Sequence, residues 1–174
     1  MSELTIRAAT ASDAAELREI YRPIVEETAI SFETDTPSEA EFAERILTYG
    51  ESHAWLVAEV DNRSAGYAYG SPHRPRAAYR YSAEVSAYVH SDFRGNGVGR
   101  QLYAQLFAVL AERGFHYAFA GITLLNPASV GLHEAVGFTK IGVFPEVGRK
   151  FDQWHDVGWW YRPLNLENEN SRAS

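Results

Sequence analysis

The 174-residue chain contains no cysteine. That excludes disulfides, thiolate metal sites, iron–sulfur clusters and a cysteine nucleophile. Long apolar runs are missing as well: nothing approaches the ~18 consecutive apolar residues of a membrane span. The opening segment places Glu3, Arg7 and Asp13 where a secretory signal would need an apolar core. Neither secretion nor membrane insertion is therefore expected. Metal-ligand spacing is also lacking, because the six histidines (53, 73, 90, 116, 133 and 155) stand apart. His133-Glu134 starts like a zincin helix but leads to Gly137-Phe138, not to a second histidine. No metal is expected.

Positive charge is in deficit. Sixteen Lys and Arg face 23 Asp and Glu, for a net charge of −7, which argues against a nucleic-acid partner. The imbalance is uneven: residues 1–61 hold 14 acids and 4 bases, whereas residues 62–174 hold 9 acids and 12 bases. The first third reads as solvated helices, and the remainder is the better place for an anionic ligand. With 45% hydrophobic and 22% charged residues, the composition is that of an ordinary globular protein. The length suits one domain, expected over 1–164, with a polar tail over 165–174.

Periodicity gives the elements. Leu4, Ile6 and Ala8 alternate as a strand. Ser12-Asp13 offers a helix N-cap before residues 14–26, with Leu17, Ile20, Tyr21 and Ile24 at helical spacing. Pro37-Ser38 opens a second helix, with Phe42, Ile46 and Leu47 on one face and Gly50 as its stop. Strands are expected at 55–60, 66–70 and 84–89, with a first turn over 61–64. A helix follows at 100–113, capped by Gly114, then a strand at 117–121, a short helix at 129–136, and strands at 138–144 and 157–161. The order predicts an α+β fold with a mixed, mostly antiparallel sheet flanked by helices.

The most informative segment is Arg94-Gly95-Asn96-Gly97-Val98-Gly99-Arg100, between an expected strand and an expected helix. Glycines let the backbone approach an anion, and the N–H groups and dipole of the helix N-terminus attract it. Arg94 and Arg100 add charge-assisted contacts. A nucleotide P-loop needs Lys-Ser/Thr after the last glycine, but here Arg100-Gln101 follows. The dinucleotide fingerprint needs Gly-x-Gly-x-x-Gly near a first strand, whereas this chain has Gly-x-Gly-x-Gly deep in the sequence. Taken alone, such a cluster also fits an ordinary tight turn.

Arg94-Gly-x-Gly-x-Gly after a strand resembles the pyrophosphate-binding motif of the GNAT superfamily of acyl-CoA N-acyltransferases. The resemblance continues through Asn126, Ala128, Leu132 and Gly137-Phe138. Three segments, 84–89, 129–138 and Trp154-His155-Asp156-Val157-Gly158, are similar to the phosphinothricin and methionine sulfoximine/sulfone acetyltransferase branch. This implies a GNAT-like fold, acetyl-CoA as co-substrate and acetylation of the α-amino group of a small glutamate-like compound. It also implies a detoxifying role and a homodimer, and with neither secretion nor membrane insertion expected the location is read as cytoplasmic.

Such a transfer needs a base for the ammonium, a donor for developing negative charge and a hydrogen bond or proton for the departing thiolate. The resemblance points to Glu84 and His133. Either Glu84 is the base and His133 the acid, or His133 is the base and Glu84 orients the ammonium. An isolated acid in a strand is otherwise solvent-facing, and a lone helix histidine is otherwise structural. For the co-substrate the resemblance implies the backbone at Ala87, Tyr88 and Val89, the loop Arg94, Gly95, Asn96, Gly97, Val98, Gly99 and Arg100, and Asn126, which also suits a helix cap. An arginine fork binds carboxylates bidentately, so Arg74 and Arg76, with Pro75 and Val85 nearby, are the candidate acceptor contacts; the bland alternative is a basic surface loop. The branch commonly has tryptophan where this chain has His73. Two other readings stay open: acetylation of a polyamine, aminoglycoside or protein N-terminus, and a non-catalytic acyl-CoA-binding sensor.

Overall fold

The computed structural model describes residues 3–165, so all but the first residue of the expected polar tail lies outside the described residues. Seven strands form one sheet: β1 (Leu4–Ala8), β2 (Ala54–Val60), β3 (Arg63–Pro72), β4 (Ser82–Val89), β5 (Tyr117–Thr123), β6 (Thr139–Lys150) and β7 (Gln153–Pro163). Their spatial order is β1-β2-β3-β4-β5-β7-β6. Neighbours are antiparallel except for β4 and β5, which makes the expected mixed sheet.

Four helices cover the two faces: α1 (Ala14–Glu27), α2 (Glu39–Ser52), α3 (Val98–Glu112) and α4 (Pro127–Ala135). Strand alternation sorts the core accordingly. Trp55, Val57 and Tyr67 pack with Leu17, Ile20, Ile24, Phe42 and Ile46 of α1 and α2. Their neighbours Leu56, Ala68, Val85, Ala118 and Ala120 pack with Leu102, Leu106 and Leu110 of α3.

Several boundaries differ from expectation for local reasons. A 3₁₀ turn over Ala11–Asp13 runs directly into α1, so the capping box closes on Thr10, whose N–H donates to Asp13 Oδ2 at 2.7 Å, and not on Ser12-Asp13. The Ser38 cap of α2 forms as expected, with Ser38 N–H on Glu41 Oε2 at 2.7 Å. Gly50 does not stop α2, which continues to Ser52, and Leu47 is exposed. The first turn narrows to Asp61-Asn62, both left-handed (φ 50° and 60°), which matches the twist of a two-residue hairpin. β6 and β7 are longer than their apolar patterns suggest, because a bulge between Phe144 and Gly148 breaks the alternation.

The tip of that hairpin clamps the segment after α1. Lys150 is 5% exposed, and its Nζ donates to the carbonyls of Val25 (2.6 Å) and Ser31 (2.8 Å). Phe32 lies against Gly148 so closely that a Cβ there would collide with its ring. Lys150→Met would leave two carbonyls without their charged donor, at a cost of about 2–3 kcal/mol. Calorimetry should then show Tm falling by roughly 5–10 °C.

Candidate active site

β4 and β5 are hydrogen-bonded only from Ser82↔Tyr117 to Glu84↔Phe119. Beyond that point β4 runs on to Val89 and β5 to Thr123 without pairing, so the sheet opens in a wedge. Val85, Ser86, Ala87 and Tyr88 form one wall of the cleft, and Gly121, Ile122 and Thr123 the other. Asn126, Ser129, His133 and Tyr103 close it on the α3/α4 side, and Ile30 reaches it from the α1 side. The cleft thus passes through the sheet. Backbone groups on the facing edge of β4 are free to bind an extended ligand.

At the end of β4 the glycine loop turns into α3. Gly95 and Gly97 are left-handed (φ 77° and 76°), and nothing stands within 4 Å of where a Cβ would be at either; the backbone angle, not crowding, demands glycine. Gly99 is helical and abuts Leu132. The first N–H groups of α3 have no partner within the helix and face the turn. Arg94 and Arg100 are exposed beside it, and Arg94 Nε donates to Val89 O at 3.3 Å. Asn96 ties the loop to itself through Phe93 O and Arg94 O. The Val98 side chain is in the core, so only its backbone can meet a ligand. Asn126 caps α4 by accepting from Ser129 N at 3.2 Å while also lining the cleft. These residues suit a pyrophosphate with an extended arm: a glycine turn at a helix N-terminus at one end, then an edge of β4 that β5 does not pair with.

Glu84 and His133 lie on different sides of the sheet. Glu84 pairs with Ser71 and Phe119 and projects to the α1/α2 face, whereas Val85 projects to the α3/α4 face and joins the core. Val85 therefore lines the cleft, not the cavity beside Glu84. That cavity, about 550 Å³, is lined by Ser71, His73, Arg74, Pro75, Arg76, Tyr79, Arg80 and Tyr49, with no acid among its lining residues. Arg74 Nη1 lies 3.7 Å from Glu84 Oε2, and its guanidinium stands 5.8 Å from the Trp159 ring centroid. Burial pushes the Glu84 carboxyl up to about 7, and Arg74 only partly opposes this.

His133 is buried on α4. Its Nδ1 lies 2.7 Å from the Ser129 carbonyl, which can only accept, so Nδ1 carries the proton. Nε2 then accepts from the Tyr103 hydroxyl at 2.9 Å. Burial lowers the His133 pKa, which keeps the imidazole neutral at pH 7. Sequence reasoning missed Tyr103, Ile30 and the contact between His73 and Glu84. Tyr103 had a signal: it follows Leu102 on the buried stripe of α3 and is itself fully buried, and a buried tyrosine needs a polar partner.

A sheet split between two parallel strands, with a glycine turn and a helix N-terminus at its mouth and the half-buried carboxyl of Glu84 beside it, suits acyl transfer. Comparison with known proteins agrees. The acetyltransferase (GNAT) domain family matches residues 6–159. A phosphinothricin N-acetyltransferase of Streptomyces coelicolor is 38% identical over 167 residues, covering 94% of this chain and 98% of its own. An L-methionine sulfoximine/L-methionine sulfone acetyltransferase of Salmonella typhimurium is 36% identical over 159 residues, covering 88% and 91%. Among solved structures, a phosphinothricin acetyltransferase from Sinorhizobium meliloti in complex with acetyl-CoA superposes with a TM-score of 0.89 at 36% identity, covering 93% of this chain and 89% of that one. The chain belongs to the GNAT acetyltransferase family. Among the described residues no three or more His, Cys, Asp or Glu side chains come together as metal ligands, and no helix is long and apolar enough to cross a membrane.

Proposed function

We propose that the protein transfers an acetyl group from acetyl-CoA to the α-amino group of a small anionic amino acid analogue of the phosphinothricin or methionine sulfoximine/sulfone type. One observation carries this reading: Arg74, which lines a cavity together with Arg76 and Arg80, reaches within 3.7 Å of Glu84, the residue just before the stretch of β4 that walls the cleft. In the proposal the loop 94–100 holds the pyrophosphate, and the open edge of β4 at Ala87–Val89 and Asn126 hold the arm. Acetyl-CoA supplies the activated acyl group. Glu84 takes a proton from the acceptor ammonium, Arg74 and Arg76 hold its carboxylate, and Tyr103 with His133 serves the departing thiolate. His133 as base is the weaker scheme, because its two nitrogens are engaged with Ser129 and Tyr103 on the far face. A polyamine or aminoglycoside would meet three arginines at the acceptor cavity.

The reading extends to a cytoplasmic homodimer. Ile141, Val143, Phe144, Val147, Phe151 and Trp154 are exposed on the β6–β7 hairpin, apolar surface suited to a second copy. Thiol release with phosphinothricin, methionine sulfoximine, methionine sulfone, spermidine and a peptide amine tests the substrate class. The first three should show kcat/KM at least about tenfold above the others, a difference of about 1.4 kcal/mol in transition-state binding. Higher kcat/KM with spermidine or the peptide would overturn the arginine assignment. Saturable CoA binding with no release would favour a sensor.

A further inference from the structure

His73 stands where β3 ends and folds back over Glu84. The register Ser71↔Glu84 and Pro72↔Ala83 brings the residue after the strand to the carboxyl. Pro72 and Pro75 on either side restrict the backbone there. The imidazole is stacked on Phe119 (centroids 4.9 Å apart, planes at 23°), and Tyr79 and Trp159 meet it edge-on at 5.8 Å and 5.9 Å. The ring is packed on three sides, and its Nδ1 lies 3.2 Å from Glu84 Oε2. Arg74 approaches the same oxygen. Both contacts fall on Oε2, which leaves Oε1 for the amine.

We infer that His73 is a positioning residue for Glu84: its Nδ1–H ties down Oε2, aims Oε1 at the acceptor and sets the pH at which the carboxylate forms. This rests on the proposed role of Glu84 as base. A hydrogen bond to the ionised form favours ionisation, so His73 offsets part of the burial that holds the proton on. His73 donates whenever Nδ1 carries a proton, and burial together with Arg74 favours the neutral ring, so the donor is taken as the neutral Nδ1–H tautomer. Other charged and titratable groups around the pair are Tyr79 from the turn before β4, and Arg76, Arg80, Tyr49 and His53 across the cavity. β5 and β7 contribute Phe119 and Trp159, which do not titrate, with Tyr117 beyond Phe119.

The test is the pH dependence of kcat/KM for the acceptor in His73→Phe and His73→Asn. Phenylalanine keeps the stack and removes the donor; asparagine places an N–H close to Nδ1. His73→Phe should move the acidic limb up by about one pH unit and lower kcat/KM roughly tenfold at pH 6.5, with a plateau at high pH within about threefold of wild type. His73→Asn should restore most of the limb, and KM for acetyl-CoA should stay within about twofold in both. If His73→Phe does not fold, His73→Leu carries the same test. A limb that stays put in the donorless variant, or moves equally in His73→Asn, overturns the inference. If Glu84→Gln retains the wild-type limb, the base assignment fails first and this inference falls with it; if that limb belongs to Glu84 yet ignores His73, this inference alone fails.

Discussion

Glu84→Gln should lose about 10²–10³-fold in kcat/KM at pH 7 and, at the same pH, become more stable. Both effects have one cause. Burial raises the carboxyl from its ordinary 4.5 to about 7, which suits the proposed role of Glu84 as the base that accepts the ammonium proton. Wild-type kcat/KM should rise with pH through about 7 as the carboxylate forms. The glutamine variant has no such group, so its rate should track deprotonation of the free amine and keep climbing at higher pH. The same shift costs stability. Between pH 4.5 and 7 the unfolded chain gives up this proton while the folded chain keeps it, so stability falls as pH rises through that window. The side chain keeps 28% exposure, which trims the cost at pH 7 to about 1–2 kcal/mol. Calorimetry at pH 8 should place Glu84→Gln a few degrees above wild type, with the gap closing at pH 4.5. Equal turnover across pH would remove Glu84 from the chemistry.

The glycine loop was legible because its chemistry is local. Left-handed angles at Gly95 and Gly97 are properties of consecutive residues, although α3 starts at Val98, two residues before the expected Arg100. Helix stripes were legible for a similar reason, since a 3.6-residue period and a buried face are one statement. The relation between Glu84 and His133 was not. It depends on a sheet whose two central strands part after Glu84↔Phe119, and no pattern within either strand records where its neighbour leaves it. Only the structure sets the two residues on opposite faces. His73 was visible as a departure from the family's tryptophan, but its contact with Glu84 needs the β3–β4 register. Lys150 shows the limit most clearly: a lysine in a polar hairpin turn reads as solvated, yet it is buried against carbonyls more than a hundred residues away in sequence.

Tyr103→Phe and His133→Ala should each lower kcat about 10²-fold, and the double variant should lose little more than either alone. The chain Ser129 carbonyl, His133 and Tyr103 hydroxyl holds two protons in fixed places: one on Nδ1 against the carbonyl and one on the phenol against Nε2. Burial lowers the imidazole pKa and raises that of the phenol, so neither group ionises at pH 7 and the pair is a neutral donor held in the cleft. In the proposed role, rotation about the Cζ–O bond would let the hydroxyl turn from Nε2 to the departing sulfur, and the imidazole would hold it again afterwards. Removing the phenol deletes the donor. Removing the imidazole leaves the hydroxyl unheld beside a new void, so either loss disables the same device. Additive losses, near 10⁴-fold in the double variant, would mean independent roles and would return His133 to direct acid or base chemistry. The pair's neutrality adds a further distinction: the acidic limb of the pH profile should stay near 7 in Tyr103→Phe, because in the proposed mechanism that limb is assigned to Glu84 on the opposite face.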